Sequence, residues 1–180
     1  MSEVIRFDIL KYPSNLPYNV YAHTATKVGT DIYLMGGITT GTTQINKNYK
    51  YNTLTNTWSQ LEPVPYNVAR HKAIVIGTDI FLMGGTSIGT TSINKNYKYD
   101  TLNNTWDIMT AMPYAVHYHT ATLIDDDIYL MGGLINGSTI SNTDFVMSTI
   151  FSLTPEEIAL EKSNRLKSLY ILLKELNFKI

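Results

Sequence analysis

The sequence predicts an all-β chain of three repeated four-stranded units followed by one α-helix. Three observations predict it: a fixed internal period of 48 residues, short apolar runs that each close in a double glycine, and a helix-start signature after residue 154. The double glycines Gly36-Gly37, Gly84-Gly85 and Gly132-Gly133 recur at steps of 48, as do Pro17, Pro65 and Pro113, the histidines His23, His71 and His119, and Asp31, Asp79 and Asp127. The first two copies agree at well over half of their positions, with GTDIYLMGG against GTDIFLMGG and INKNYKYNTLTNTW against INKNYKYDTLNNTW. The third copy keeps DIYLMGG, then diverges and has no residue matching Trp58 and Trp106. It therefore lacks its last strand.

Within a repeat, residues 22 to 28 and 31 to 37 read as a hairpin around Gly29-Thr30-Asp31, a turn that tolerates positive φ and bonds to its own side chains. The apolar run AIVIGTDIFLMGG of the second copy suits strands covered on both faces. NKNYKYN reads as a third strand and NTWSQL as a fourth, with a polar turn over 52 to 56 between them. In the third copy Asp125-Asp126-Asp127 stands where the others have Gly-Thr-Asp, which reads as a solvated turn before a calcium site.

The bulk numbers set outer limits. With 44% hydrophobic and 16% charged residues the chain is of ordinary globular composition, and 180 residues can bury a real core without disulfides. A net charge of −1 supplies no basic field for nucleic acid or a membrane surface. The absence of cysteine excludes disulfides, thiolate metal sites and a cysteine nucleophile. Neither an apolar leader nor a span-length apolar run is present, so a soluble, cytoplasmic protein is expected, with a virion or other assembly as the alternative.

A hydrophobic strand ending in Gly-Gly, then Tyr51 or Tyr99, then Trp58 or Trp106 seven residues later, all within 48 residues, resembles the kelch repeat. The likeness covers about residues 17 to 152, with repeats at 17–64, 65–112 and 113–152 inside a segment 1–154. It implies that each repeat forms one blade of a β-propeller, with the glycines allowing close backbone approach and the Tyr and Trp packing between blades. The family usually carries Arg three residues before the histidine, whereas Val20, Val68 and Val116 stand here. That departure puts Arg-based recognition of acidic peptides in doubt.

Propellers close with four to eight blades, so three leave two bare ends. Ile5, Phe7 and Ile9 alternate with charged residues, so residues 4–10 read as a strand able to complete the third blade of another copy. The expected partner is a second chain, giving a six-bladed ring. At the other end, Thr154-Pro155-Glu156-Glu157 caps a helix over 155–180 with Leu166, Leu169, Leu173, Leu176 and Ile180 on one stripe, suited to packing on its own propeller or docking a partner.

For function, the kelch resemblance implies that the connections between blades and the loops ITTGTTQ, TSIGTTS and LINGSTIS protrude on one side, where partners of such propellers usually dock. They offer Tyr18, Asn19, Tyr21, Tyr66, Asn67, Arg70, Tyr114, His117 and Tyr118 as binding residues. The three repeated histidines read as structural, because equivalent positions of neighbouring blades lie too far apart for ~2.0 Å metal bonds. No catalytic constellation, metal site or cofactor is predicted. The expectation is a non-catalytic protein-binding or assembly module; a carbohydrate-active kelch enzyme such as a sialic-acid mutarotase, or a structural subunit of a virion or surface, are the alternatives.

Overall fold

A computed structural model describes residues 13–135 and 137–148. The first repeat forms β1 (Thr24–Val28), β2 (Asp31–Met35), β3 (Asn48–Asn52) and β4 (Thr57–Gln60), an antiparallel sheet in sequence order. The second repeats the arrangement with β5 (Lys72–Ile76), β6 (Asp79–Met83), β7 (Asn96–Asp100) and β8 (Thr105–Ile108). The third region contains β9 (Val116–His117), β10 (Thr120–Ile124), β11 (Asp127–Met131), β12 (Leu134–Ile135), β13 (Thr139–Ile140) and β14 (Asp144–Ser148). Here β10, β11 and β14 form the blade, while β9, β12 and β13 form a separate small sheet.

The expectation of three four-stranded blades thus holds for two; the third has three strands among the described residues, as the loss of its Trp motif implied. The strand expected over 4–10 and the helix expected over 155–180 lie outside the described residues.

The local reasons are consistent across copies. Val28 pairs with Asp31 and Ile76 with Asp79 across two-residue turns, and Gly29, Gly77 and Asp125 each take a φ of 52 to 62° there. Asp is one of the few side chains that tolerates this region, so the triple aspartate makes the same hairpin as Gly-Thr-Asp. Tyr51 pairs with Trp58 across β3 and β4, their rings 5.0 Å apart, and Tyr99 with Trp106 at 4.8 Å. Both pairs contribute cross-strand aromatic packing on one face of the sheet.

Strand β5 packs between β1 and β10, so the first strands of the blades line one inner side. Two apolar clusters fill the seams. Tyr33, Met35, Val64, Val68, Ile80, Leu82 and Tyr99 are buried in the first, and Met83, Met112, Val116, Ile128 and Leu130 in the second. The valines that replace the family's arginine are therefore seam residues: Val68 and Val116 are both buried.

The double glycine is required by the seam itself. Gly36 and Gly84 share a φ of +61°, and a Cβ at Gly84 would lie 2.6 Å from Val116 O and 2.9 Å from the His119 ring. Only a residue without Cβ lets neighbouring blades approach so closely.

Candidate interaction face

Above each blade the incoming connection and the loop between second and third strands form a small three-membered sheet. Tyr21 bridges Ile38, which bridges Gln44; Ala69 bridges Thr86, which bridges Ser92; and β9, β12 and β13 repeat the pattern with paired strands. The small sheets stand at one end of the blades and together form a crown.

Cross-links between blades make the crown rigid. Gln44 Nε2 donates to Gly89 O at 2.6 Å, and the Gly137 N–H donates to Ser92 Oγ at 3.3 Å, so each loop is tied to the next. A second line runs along the inner rim, where Arg70 N–H donates to Ala22 O at 2.9 Å and Tyr118 N–H to Arg70 O at 3.2 Å. Ala22, Arg70 and Tyr118 are one repeat apart and share a left-handed backbone, φ 55 to 57°. For side chains as large as Arg and Tyr this conformation is costly and persists only where surrounding bonds hold it.

At the centre sits Arg70. Its Nε donates to Tyr118 Oη at 2.7 Å, and its Nη1 reaches Thr86 Oγ1 at 3.1 Å and Gly89 O at 3.4 Å. The guanidinium also lies 5.4 Å from the centre of the Tyr118 ring, a favourable cation–π distance. Tyr118 nevertheless remains 59% exposed. His117 is buried with its ring 5.1 Å from that of Tyr118 and its Nδ1 2.8 Å from Ser92 Oγ. Burial first, then the charge of Arg70, lowers its pKa.

Of the nine residues expected on this face, the structure brings Arg70, His117 and Tyr118 together. Tyr21 lies near by in the first blade, more than half exposed, with its hydroxyl donating to Gly41 O at 3.2 Å. Asn19 and Asn67 are exposed. The other three tyrosines have a packing role. Tyr18 lies 5.5 Å from Tyr49 under Lys47, Tyr66 lies 5.2 Å from Tyr97 under Lys95, and Tyr114 packs edge-on to Phe145 and donates to Thr143 O. Each fastens an incoming connection to the third strand of its blade. Burial and the adjacent phenol of Tyr49 push the Tyr18 hydroxyl up to about 12, and burial and Tyr97 raise that of Tyr66 further.

Sequence reasoning placed the loops ITTGTTQ and TSIGTTS on this face without singling out Gln44, Thr86 and Ser92, which hold them, or Ile88, which stands 79% exposed on the second loop. A signal was available for the first: Gln44 and Ser92 occupy one repeat position, a polar pair inside otherwise hydroxyl-rich loops.

The repeated histidines line the inner side of the seams. His71 Nε2 lies 2.9 Å from Thr24 Oγ1, while among the described residues both ring nitrogens of His119 are buried without a hydrogen-bond partner. The difference is one substitution: Lys72 occupies the repeat position of Thr24. Burial lowers the pKa of His71 to about 3, helped by His119, His23 and Lys72, and that of His119 to about 4, helped by Lys72 and His117. Both are neutral at pH 7. Among the described residues no group of three or more His, Asp or Glu is placed to hold a metal ion, and no helix is long and apolar enough to cross a membrane.

The KLHDC2/KLHL20/DRC7 Kelch-repeats domain matches residues 22–165. The chain belongs to the kelch-repeat family. The kelch glycines are Gly36-Gly37, Gly84-Gly85 and Gly132-Gly133, and the kelch aromatic pairs are Tyr51 with Trp58 and Tyr99 with Trp106. No curated protein matches the chain.

Proposed function

We propose that this kelch chain is a non-catalytic protein-interaction module that receives its partner on the crown. The observation that carries the reading is the Arg70–Tyr118 pair: a half-buried cation and a largely exposed aromatic, fixed by bonds on both sides of a seam. Aromatic and Arg side chains are the usual anchors of protein interfaces, and a held geometry loses little entropy on binding. Ile88 on the second loop and Tyr21 on the first connection add exposed apolar surface to the same crown. The remaining loop positions are Ser, Thr, Gly and Asn, which provide adaptable hydrogen bonds around such anchors.

A binding role is favoured over the mutarotase alternative by the state of the crown's reactive groups. Ser92 Oγ is engaged by His117, Leu134 O and the Gly137 N–H, and His117 is 2% exposed. Neither presents itself to a sugar. The test is proximity cross-linking with mass spectrometry in matched lysates, using the full chain, Tyr118→Ala and Arg70→Ala. Proteins cross-linked to the crown loops by the full chain and lost about tenfold or more with both variants support the reading. A thermal shift of several degrees with a free sugar, together with anomeric interconversion of that sugar faster than its uncatalysed rate, would replace it with the enzyme alternative.

A further inference from the structure

The two ends of the described arc carry the two halves of one seam. Inside the chain that seam occurs twice, built the same way each time. The Gly37 N–H donates to Val68 O at 2.7 Å and the Gly85 N–H to Val116 O at 2.8 Å. Beside them, Met35 and Met83, both 0% exposed, pack in the clusters that also hold Val64 and Met112, 0% and 2% exposed.

One repeat further on, the same positions are open. Met131 is 46% exposed, and among the described residues a Cβ at Gly132 would find nothing nearer than Ser141 O at 3.7 Å, where Gly36 and Gly84 meet the following blade below 3 Å. At the other end Leu16, the repeat equivalent of Val64 and Met112, is 43% exposed, and Val20 is only half-buried where Val68 and Val116 are fully so.

We propose that a second copy of this chain covers both ends, joining two three-blade arcs into a six-blade ring through two identical seams. The occupant follows from the repeat. Each end keeps the seam's own residue types: a Met, Gly-Gly and Thr120 on one side, and an apolar residue, Val20 and His23 on the other. Because these are the two halves of an interface already made twice, the best complement of one end is the other end of an identical chain. Two copies give six blades, within the four to eight at which propellers close, and three copies give nine, outside it.

The bonds of the new seams are fixed by those within the chain. The Gly133 N–H donates to Val20 O of the second copy, the Ala22 N–H of the second copy donates to Tyr118 O, and Thr120 Oγ1 takes the His23 ring as Thr24 takes His71. The arrangement is closed and self-complementary, as two-fold symmetry requires. It also completes the crown, bringing exposed Tyr118 at one end of an arc beside exposed Tyr21 at the start of the next.

The test is solution mass by light scattering across a concentration series. It compares the full chain, Leu16→Lys, Met131→Glu and the double variant, each checked for folding by circular dichroism. A two-chain mass is expected for the full chain. Each single variant is expected to stay folded, since both residues are exposed in one chain, and to dissociate with at least a tenfold weaker association. The double variant is expected to associate more tightly than either single variant, because every seam then sets the ammonium group introduced by Leu16→Lys against the carboxylate introduced by Met131→Glu instead of leaving one buried charge unpaired. A one-chain mass for the full chain at all concentrations overturns the proposal. So does a two-chain mass that survives both single substitutions, which would place the contact elsewhere, for instance in residues 155–180.

Discussion

Histidine protonation is where single residues govern stability. His71 and His119 have folded pKa values of about 3 and 4, below the ordinary 6.5 that they regain on unfolding. Between those limits the unfolded chain binds more protons than the folded one, so the contribution is complete above about pH 6.5 and is lost as the pH falls. Thermal unfolding at constant ionic strength should show stability dropping from pH 7 towards pH 4, by up to ~1.4 kcal/mol per pH unit for each histidine. His119→Leu, which removes two buried nitrogens without partners among the described residues, should reduce that slope by up to ~1.4 kcal/mol per pH unit, leaving the shares of His71, His23 and His117, with stability at pH 7 within about 1 kcal/mol. An unchanged slope would show that other groups set the acid limit. Gly84→Ala tests the seam at the same scale. Its Cβ would meet Val116 O at 2.6 Å on a left-handed backbone, so a loss of at least about 3 kcal/mol in urea unfolding is expected.

Elements are held to one another by a small repeated network at the outer end of the blades. Asn104 Oδ1 accepts from Tyr99 Oη at 2.6 Å and from Glu62 N–H at 2.9 Å, while Trp106 Nε1 donates to Glu62 O at 3.1 Å. In the first blade Asn56 joins Tyr51 to the Ser14 N–H, and Trp58 Nε1 donates to Ser14 O. The Trp of one blade thus anchors the connection that arrives from before it. Asn104→Ala should cost about 2 to 4 kcal/mol, since it orphans two donors and puts a Cβ residue into the left-handed region without Asn's local bonding. Asn104→Gly should recover the backbone share alone, and equal losses for the two variants would assign the whole effect to the hydrogen bonds.

This scale also shows what the sequence reveals. The hairpins, the Tyr–Trp pairs and the double glycines were legible because each repeats three or two times and answers a local geometric demand. The crown's small sheets were not, since Ala69–Thr86–Ser92 is a set of single bridges with no alternation to betray it. Tyr18, Tyr66 and Tyr114 look like anchors in sequence because a ring that faces solvent and one that lies on Tyr49, Tyr97 or Phe145 have the same letter. Arg70 and Tyr118 could be named from their place in the blade connections, but their mutual bond depends on two blades meeting, which local pattern does not encode.

For the molecule as a whole, closure decides how stability is measured. If two arcs share two seams, unfolding is coupled to dissociation, and the melting temperature of the full chain should rise with protein concentration. Leu16→Lys should remove that dependence and lower the midpoint to the value of a single arc. A midpoint that does not move over a hundredfold range of concentration would mean that each chain melts by itself. The crown makes a separate statement at this scale: Tyr118→Ala should weaken partner capture while lowering stability by no more than about 1 to 2 kcal/mol, the share of its bond and ring contact with Arg70 in a mostly exposed side chain.

The near-identity of the first two blades has a kinetic cost. Strand β3 pairs with β2 and β7 with β6 using the same NYKY sequence against nearly the same DIYLM and DIFLM partners. A chain folding from the collapsed state therefore has a second, almost equally good partner for each of these strands, one full repeat away, and a wrong choice must be undone before the seam can form. The third blade adds to the ambiguity through β11, whose DIYLM is identical to β2, and only its DFVMS strand, unlike either NYKY copy, marks one end of the arc as distinct.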